Sequence, residues 1–153
     1  MKNRNKVVVL ALFGIAMAFV EAAVVIYLRE LYYPSGFFIS SVQDFVKIPS
    51  RILNVEIFRE IATIVMIAAV AFLAFTKTKE RVVSFLWVFA IWDLFYYFFL
   101  YTFLRWPSSL TTLDVYFLIP RPWVGPVWFP LVLFSIIGIF SLWYLLKNKE
   151  GNR

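Results

Sequence analysis

Histidine and cysteine are both absent from this sequence of 153 residues. Disulfide bonds, zinc sites, iron–sulfur clusters, haem bound by histidine and catalytic triads that need His or Cys are therefore excluded. Charge is scarce as well, since Asp, Glu, Lys and Arg make up 16% of the residues, whereas soluble domains average about 25%. The composition excludes a soluble enzyme, and it leaves the identity of any cofactor unknown.

Apolar and aromatic residues, by contrast, are abundant, at 63% and 21% of the chain. A hydrocarbon core of about 30 Å is crossed by ~20 helical residues. Apolar runs of about that length, whose charged residues are Glu21, Arg29, Glu56, Arg59, Glu60 and Asp93, predict spans at about residues 7–29, 54–76, 82–104 and 126–146. We therefore expect an all-α fold, an integral membrane four-helix bundle that forms a single transmembrane domain over residues 1–153, with the lipid bilayer as its main partner.

Basic residues predict the direction of these spans. Most of them fall into three clusters: Lys2, Arg4 and Lys6; Lys77, Lys79 and Arg81; Lys147, Lys149 and Arg153. The three clusters share one side of an even-numbered bundle, so the positive-inside rule places both termini in the cytoplasm. This predicts a multi-pass protein of the cytoplasmic (inner) membrane. The bias explains the net charge of +6, and no nucleic-acid partner is expected.

The two connections on the outer side, residues 32–54 and 105–125, are long, and together with the first turn of span four they contain all seven prolines. Apolar residues from Gly36 to Ile48 predict a short interfacial helix. A second one is predicted to start at Pro107 and to stop before Pro120. The two connections either close the outer end of the bundle or cover a site.

Ionisable residues of three spans share the outer half of the predicted membrane. At ~1.5 Å per residue, Asp93 lies ~16 Å, Glu21 ~21 Å and Glu60 ~24 Å from the inner edge. Arg59 and Glu56 follow at ~25 and ~30 Å. Such groups cost about 2.5–3.5 kcal/mol each at a helix centre, so they should face the bundle interior or water.

These residues, together with a phenol on the Asp93 face, predict a ligand-binding site that contains Glu21, Glu56, Arg59, Glu60, Asp93 and Tyr97. The leading hypothesis is a vestibule for a small cationic or protonatable ligand or a lipid head group. A carrier of this small size implies a homo-oligomer or a partner membrane subunit.

Two alternatives stay open. In the first, the protein is an intramembrane enzyme that acts on a lipid or isoprenoid-like substrate, with Asp93 or Glu21 as general acid or base and Glu60 oriented by Arg59. In the second, the protein is a structural or assembly subunit whose buried charges only fix helix packing. A carboxylate-only site for Mg²⁺, Ca²⁺ or Mn²⁺ is a variant of the binding and enzyme hypotheses.

A shallower set, Arg105 and Arg121 with Asp114, predicts contact with a lipid phosphate head group, because guanidinium groups bind phosphate through two hydrogen bonds. An Arg–Asp pair within the loop is the alternative.

Several motifs carry a resemblance: Glu56-x-x-Arg59-Glu60, Trp92-Asp93-x-x-Tyr96-Tyr97, Trp106-Pro-Ser-Ser-Leu110 and Ile119-Pro-x-Pro-Trp-x-Gly-Pro126. Over about two-thirds of its length the chain resembles a family of small four-span prokaryotic inner-membrane proteins without an assigned function, which implies the same topology and no particular activity. In architecture and residue type alone it is similar to the four-helix isomerase superfamily that includes sterol isomerases. The Trp- and Pro-rich loop is similar to that of the translocator protein family, which has five spans.

Overall fold

The computed structural model of the chain describes residues 3–39 and 48–147. In chain order the elements are α1 (Asn3–Tyr32), α2 (Ser50–Ala74), α3 (Thr78–Leu104), β1 (Leu113–Phe117), β2 (Trp123–Pro126) and α4 (Trp128–Lys147). All four helices are long and apolar enough to cross a membrane. The prediction of a mostly helical chain with four long apolar helices is confirmed.

The helix boundaries differ from the predicted spans in one consistent way. Each of α1, α2 and α3 begins four residues before its predicted span. The extra turns contain polar or charged residues such as Asn3, Arg51 and Lys79, which a search for uncharged runs leaves out. A helical turn that projects beyond the hydrocarbon accepts such residues, so the helices are longer than their apolar segments.

Local sequence explains where the helices begin and end. Pro49 precedes α2, where its fixed φ of −57° suits a helix start and its missing N–H costs no hydrogen bond. Glu80 lies in the first turn of α3, where a carboxylate favours the helix dipole. Arg105 ends α3 in the left-handed conformation, at φ 53°, and its N–H donates to the Tyr101 carbonyl at 3.0 Å. The chain then turns back over the end of the helices.

Helix α3 is the central element, because it packs against α1, α2 and α4, whereas α1 and α2 meet over a short stretch. Gly14 on α1 brings that helix close to α3, since an added Cβ there would lie 3.1 Å from the Val88 carbonyl oxygen. The larger of two core clusters lies around Ile67, Val88 and Leu145. The large apolar side chains on the outer helix faces, such as Leu73 and Ile139, are exposed, as suits a lipid bilayer environment.

A β-hairpin replaces the second predicted interfacial helix. Strands β1 and β2 pair antiparallel, with Asp114 opposite Gly125, so the prediction of a helix from Pro107 to Pro120 is wrong. Val115, Tyr116 and Phe117 are β-branched or aromatic and favour a strand, and Gly125 leaves room for the Tyr116 ring, whose Oη would lie 2.5 Å from an added Cβ. A few apolar residues at helical spacing do not outweigh this pairing.

The other predicted interfacial helix, from Gly36 to Ile48, falls mostly on residues 40–47, outside the described residues. Residues 33–39 form a turn followed by irregular backbone. We call the end of the molecule that carries β1 and β2 the hairpin end. The end that carries the α2–α3 turn at residues 75–77 is the opposite end.

Candidate ligand-binding cavity

A cavity of about 120 Å³ lies at the hairpin end, between α1, α2, α3 and β1. Because one enclosed water takes about 10–15 Å³, the space suits several waters or one small organic molecule. Its charged lining residues are Glu21, Arg29, Glu56, Arg59, Glu60, Asp93 and Asp114. Five carboxylates therefore share this space, which we call the hairpin cavity, with two guanidinium groups.

Arg59 bridges two of these carboxylates across the α1–α2 interface. Its Nη2 lies 2.5 Å from Oε2 of Glu56, one turn away on the same helix, and its Nη1 pairs with Glu21 of α1. The hydroxyl of Thr63 adds a long contact of 3.5 Å to the Glu21 carboxylate. The i, i+3 spacing on α2 places Glu56 and Arg59 on one face, so a single guanidinium neutralises part of a two-carboxylate site.

Arg29 forms a second charged group with Asp114 of the hairpin. Arg29 Nη2 lies 3.1 Å from Asp114 Oδ1, and the Tyr97 hydroxyl donates to Asp114 Oδ2 at 3.0 Å. The Arg29 guanidinium lies between the rings of Phe37 and Trp106, with Cζ 4.0 and 3.8 Å from their centroids. This group ties α1 and α3 to β1 and holds a cation between two aromatic faces.

Burial has the largest influence on the pKa values of Asp114 and Tyr116 in the hairpin. It raises the pKa of Asp114 above its ordinary value, although the Arg29 guanidinium, the Val115 N–H and the Tyr97 hydroxyl favour the carboxylate. Burial also raises the pKa of Tyr116 to about 12. The Tyr116 phenol is therefore protonated at neutral pH, and it donates to the Pro126 carbonyl at 2.6 Å. The Tyr116 bond joins β1 to β2, and the contacts of Asp114 with Arg29 and Tyr97 hold the hairpin over the cavity.

Glu60 connects α2 to the hairpin from the other side. Both of its carboxylate oxygens accept the Leu118 backbone N–H, each at 3.1 Å. Leu118 directly follows β1, and its N–H would otherwise lack a helix or sheet partner at this position. Glu60 therefore fixes the end of β1 to α2.

Asp93 differs from the other four carboxylates. It lines the hairpin cavity from the middle of α3. Its Oδ2 is buried, and none of the residues that the structure describes provides it with a hydrogen-bond partner. The nearest phenols on the same helix are Tyr96 and Tyr97, and the Tyr97 hydroxyl already donates to Asp114. Asp93 thus leaves an unmet hydrogen-bonding and electrostatic requirement at the cavity wall.

The cavity lining includes all six residues predicted as a ligand site: Glu21, Glu56, Arg59, Glu60, Asp93 and Tyr97. That they bind a ligand, and that Asp93, Glu21 or Glu60 is catalytic, stay predictions. Among residues 3–39 and 48–147, no three acidic side chains are placed to share a metal ion.

The shallower predicted set is arranged differently. Asp114 is buried and pairs with Arg29, whereas Arg105 and Arg121 are exposed. Sequence reasoning missed the Arg29–Asp114 pair. Without the hairpin, reasoning from the sequence had no way to bring Asp114 beneath the surface and next to Arg29.

Comparison with known protein families, with curated proteins and with solved structures finds no match for this chain. The resemblance carried by the sequence motifs stays a prediction. The fold and the cavity define a protein with four helices able to span a membrane and with a charged cavity at one end.

Proposed function

We propose that this chain is a multi-pass inner-membrane protein whose hairpin cavity binds a small cationic or protonatable ligand, free or as part of a lipid head group. The observation that carries the proposal is the unequal charge of the cavity lining, five carboxylates against two guanidinium groups. Asp93, whose Oδ2 has no partner among the described residues, is the group most in need of a positive counterpart.

Pairing inside the protein removes only part of the negative charge. Arg59 offsets one charge of the Glu21–Glu56 pair, and Arg29 offsets Asp114. Glu60 accepts a neutral N–H, and Asp93 is left over. An unpaired carboxylate in a low-dielectric cavity is costly unless it takes up a proton or meets a cation. A cation that enters the hairpin cavity would relieve this cost.

The membrane topology supports a site that opens to the outer side. The basic residues Lys77, Lys79 and Arg81 lie at the opposite end, around the α2–α3 turn. The positive-inside rule places that end in the cytoplasm. The hairpin end then faces the outer surface, and the ligand reaches the cavity from that side or from the outer leaflet.

A structural role is the alternative that specific contacts favour. Glu21, Glu60 and Asp114 have protein partners on other elements, and Glu56 pairs with Arg59 of its own helix. Removing such charges would then affect stability alone. Asp93 distinguishes the binding role from the structural role, because its Oδ2 has no such partner among the residues described.

The test is ligand-dependent thermal stabilisation of the purified protein in lipid nanodiscs. The test compares the chlorides of sodium, magnesium, ammonium, ethanolamine and choline at equal ionic strength. A neutral polyol in place of choline serves as the uncharged reference. A ligand that binds the folded state raises Tm as its concentration passes Kd. We expect at least one cation to raise Tm, and Asp93→Asn to remove that rise.

Glu30→Gln is the matched control, because Glu30 is an exposed carboxylate of α1 outside the cavity lining. It should keep the full response. A Tm that no cation changes, or an undiminished response in Asp93→Asn, would contradict the proposed site and favour the structural role.

A further inference from the structure

The carboxylates of the hairpin cavity are poorly arranged for an inorganic ion. Calcium is bound by six to eight oxygen ligands, and magnesium by an octahedron of them. Here Glu21 and Glu56 are oriented toward Arg59, and both oxygens of Glu60 point to the Leu118 N–H. In the described part of the chain no three acidic groups are placed to share a metal ion. A cation in this cavity therefore meets one available carboxylate, Asp93.

Aromatic rings form much of the remaining wall. The rings that line the cavity include Trp92, Tyr96, Tyr97, Tyr116 and Phe117. Aromatic faces attract cations of low charge density, and quaternary and alkylammonium ions are recognised by carboxylates and rings together. A metal ion with a tightly held hydration shell gains little from such walls.

The protein already holds one organic cation in this way. At the edge of the same cavity the Arg29 guanidinium lies between Phe37 and Trp106, with Asp114 as its counter-ion. Asp93 shares the cavity lining with aromatic rings, and no cation of the described residues pairs with it. The carboxylate and the rings that hold Arg29 are thus matched in residue type near Asp93, where the described part of the chain supplies no cation.

We propose that the hairpin cavity binds an organic ammonium ion, with Asp93 as its counter-ion and the rings of Trp92, Tyr96 and Tyr116 as its walls. This inference rests on the proposed function and narrows it to one class of ligand. The ammonium group belongs either to a small free amine or to an amine-bearing lipid head group. The space of about 120 Å³ accommodates one such group.

The first experiment measures affinity by isothermal titration calorimetry in nanodiscs of phosphatidylglycerol. Methylammonium, tetramethylammonium and ethanolamine are compared with Na⁺ and Mg²⁺. We expect at least one ammonium ion to bind at least tenfold more tightly than either metal ion. Equal or tighter binding of Na⁺ or Mg²⁺ that Asp93→Asn abolishes would overturn this inference and leave the proposed cation site intact. A response to none of the cations would overturn both.

Substitutions at Tyr96 test the aromatic wall separately from the charge. Tyr96→Leu should weaken ammonium binding about five- to thirtyfold, the range expected for loss of a cation–π contact that is partly desolvated. Tyr96→Phe keeps the ring and should lose less than Tyr96→Leu. Tyr101→Leu, at an exposed position of α3 outside the cavity, should bind as the wild type does. Equal affinity of the Tyr96→Leu variant and the wild type would overturn the inference.

A second set of nanodiscs distinguishes the two sources of the ammonium group. If the ligand is lipid-borne, phosphatidylethanolamine in the disc competes with added ethanolamine and lowers its apparent affinity at least fivefold relative to phosphatidylglycerol. If the ligand is a free amine, the affinity is the same in both discs. Either result supports an ammonium site and names its source. Binding that persists in Asp93→Asn in both discs would place the ammonium elsewhere and overturn the inference.

Discussion

The two ends of the molecule satisfy their buried polar groups in different ways. At the opposite end, side chains donate to main-chain carbonyls: Ser84 to Ala71 at 3.3 Å, Trp87 to Val7 at 3.1 Å and Arg81 to Phe75 at 2.7 Å. At the hairpin end, charged side chains bind one another, as in the Arg59 and Arg29 groups. The acceptors at the opposite end are present in any helix, whereas those at the hairpin end require particular residues on other elements.

This difference is the one expected if the opposite end serves packing and the hairpin end serves the proposed site. Main-chain acceptors satisfy a polar side chain without adding a buried charge. Buried ion pairs, in contrast, often contribute less to stability than an apolar replacement of the same shape would. A chain that concentrates five carboxylates at one end therefore accepts a larger cost there than at the other end, where Glu80 is buried and lies 4.0 Å from the Lys77 amine. That is expected if binding rather than stability selects the residues of the hairpin end.

The largest expected effect is the loss of Arg59. Arg59→Met keeps much of the side-chain volume but leaves Glu21 and Glu56 facing each other without a cation. Removing one partner from a fully buried ion pair typically costs about 3–5 kcal/mol, and because the Arg59 side chain is 24% exposed the lower end, about 3 kcal/mol, applies. We expect a fall in the free energy of unfolding of that order, measured by denaturant titration in mixed micelles.

The control for this variant is Arg51→Met, an exposed arginine on the first turn of α2, which should change the free energy of unfolding by less than about 0.5 kcal/mol. The triple variant with Glu21→Gln and Glu56→Gln removes the stranded charges and should recover most of the lost stability. If Arg59→Met is as stable as Arg51→Met, the Arg59 network contributes nothing and the contrast between the two ends fails.

A smaller effect is expected for the hydroxyl of Tyr97, which joins α3 to the hairpin. Tyr97→Phe keeps the buried ring and removes one hydrogen bond to the Asp114 carboxylate. A hydrogen bond to a charged group contributes about 1.5–3 kcal/mol, so the free energy of unfolding should fall by about 2 kcal/mol.

Tyr101→Phe, one turn further along α3 and exposed, removes a hydroxyl without that partner and should be nearly neutral. Equal effects of the two substitutions would show that the hydrogen bond from Tyr97 to Asp114 does not hold the hairpin.

The helical part of the fold was predicted well from the sequence, because helices that cross a bilayer must consist largely of apolar residues. Segments that cross lipid are predominantly apolar for about 20 residues, so the four helices are visible without any knowledge of contacts. The hairpin was not predicted, because the pairing of residues 113–117 with 123–126 depends on partners outside each segment. Short apolar runs such as Leu110–Leu118 fit a helix or a strand about equally well.

The site was predictable to the extent that its residues lie on helices. A rise of ~1.5 Å per residue converts sequence distance into depth, so Glu21, Glu60 and Asp93 could be placed at similar depths from the sequence. No such relation holds in a loop. Asp114 was therefore grouped with Arg105 and Arg121, whereas it is buried against Arg29.

Packing against α3 permits a direct comparison of two glycines, Gly14 on α1 and Gly138 on α4. A Cβ at Gly14 would lie 3.0 Å from Ile91 Cγ2 and 3.1 Å from the Val88 oxygen, whereas a Cβ at Gly138 would meet only Ala90 Cβ, at 3.6 Å. Gly14→Ala should cost about 1–2 kcal/mol through overpacking. Gly138→Ala should be neutral or slightly stabilising, since alanine favours a helix.

The same denaturant titration measures both glycine variants. A Gly14→Ala variant as stable as the wild type would mean that α1 can move away from α3 at no cost. The opposite end would then be less tightly packed than its small residues indicate.

The smallest effect is expected for two buried serines at the opposite end. Ser84 Oγ donates to main-chain carbonyls of Ala71 and Arg81, whereas Ser141 Oγ is buried with no hydrogen-bond partner in the described ranges 3–39 and 48–147. Ser84→Ala should cost about 1 kcal/mol, the net contribution of an ordinary hydrogen bond. Ser141→Ala should be neutral or stabilising, because it removes an unsatisfied hydroxyl. If Ser141→Ala lowers the free energy of unfolding more than Ser84→Ala does, the proposed difference between the two ends is wrong. The stability of the opposite end would then depend on polar contacts other than those to main-chain carbonyls.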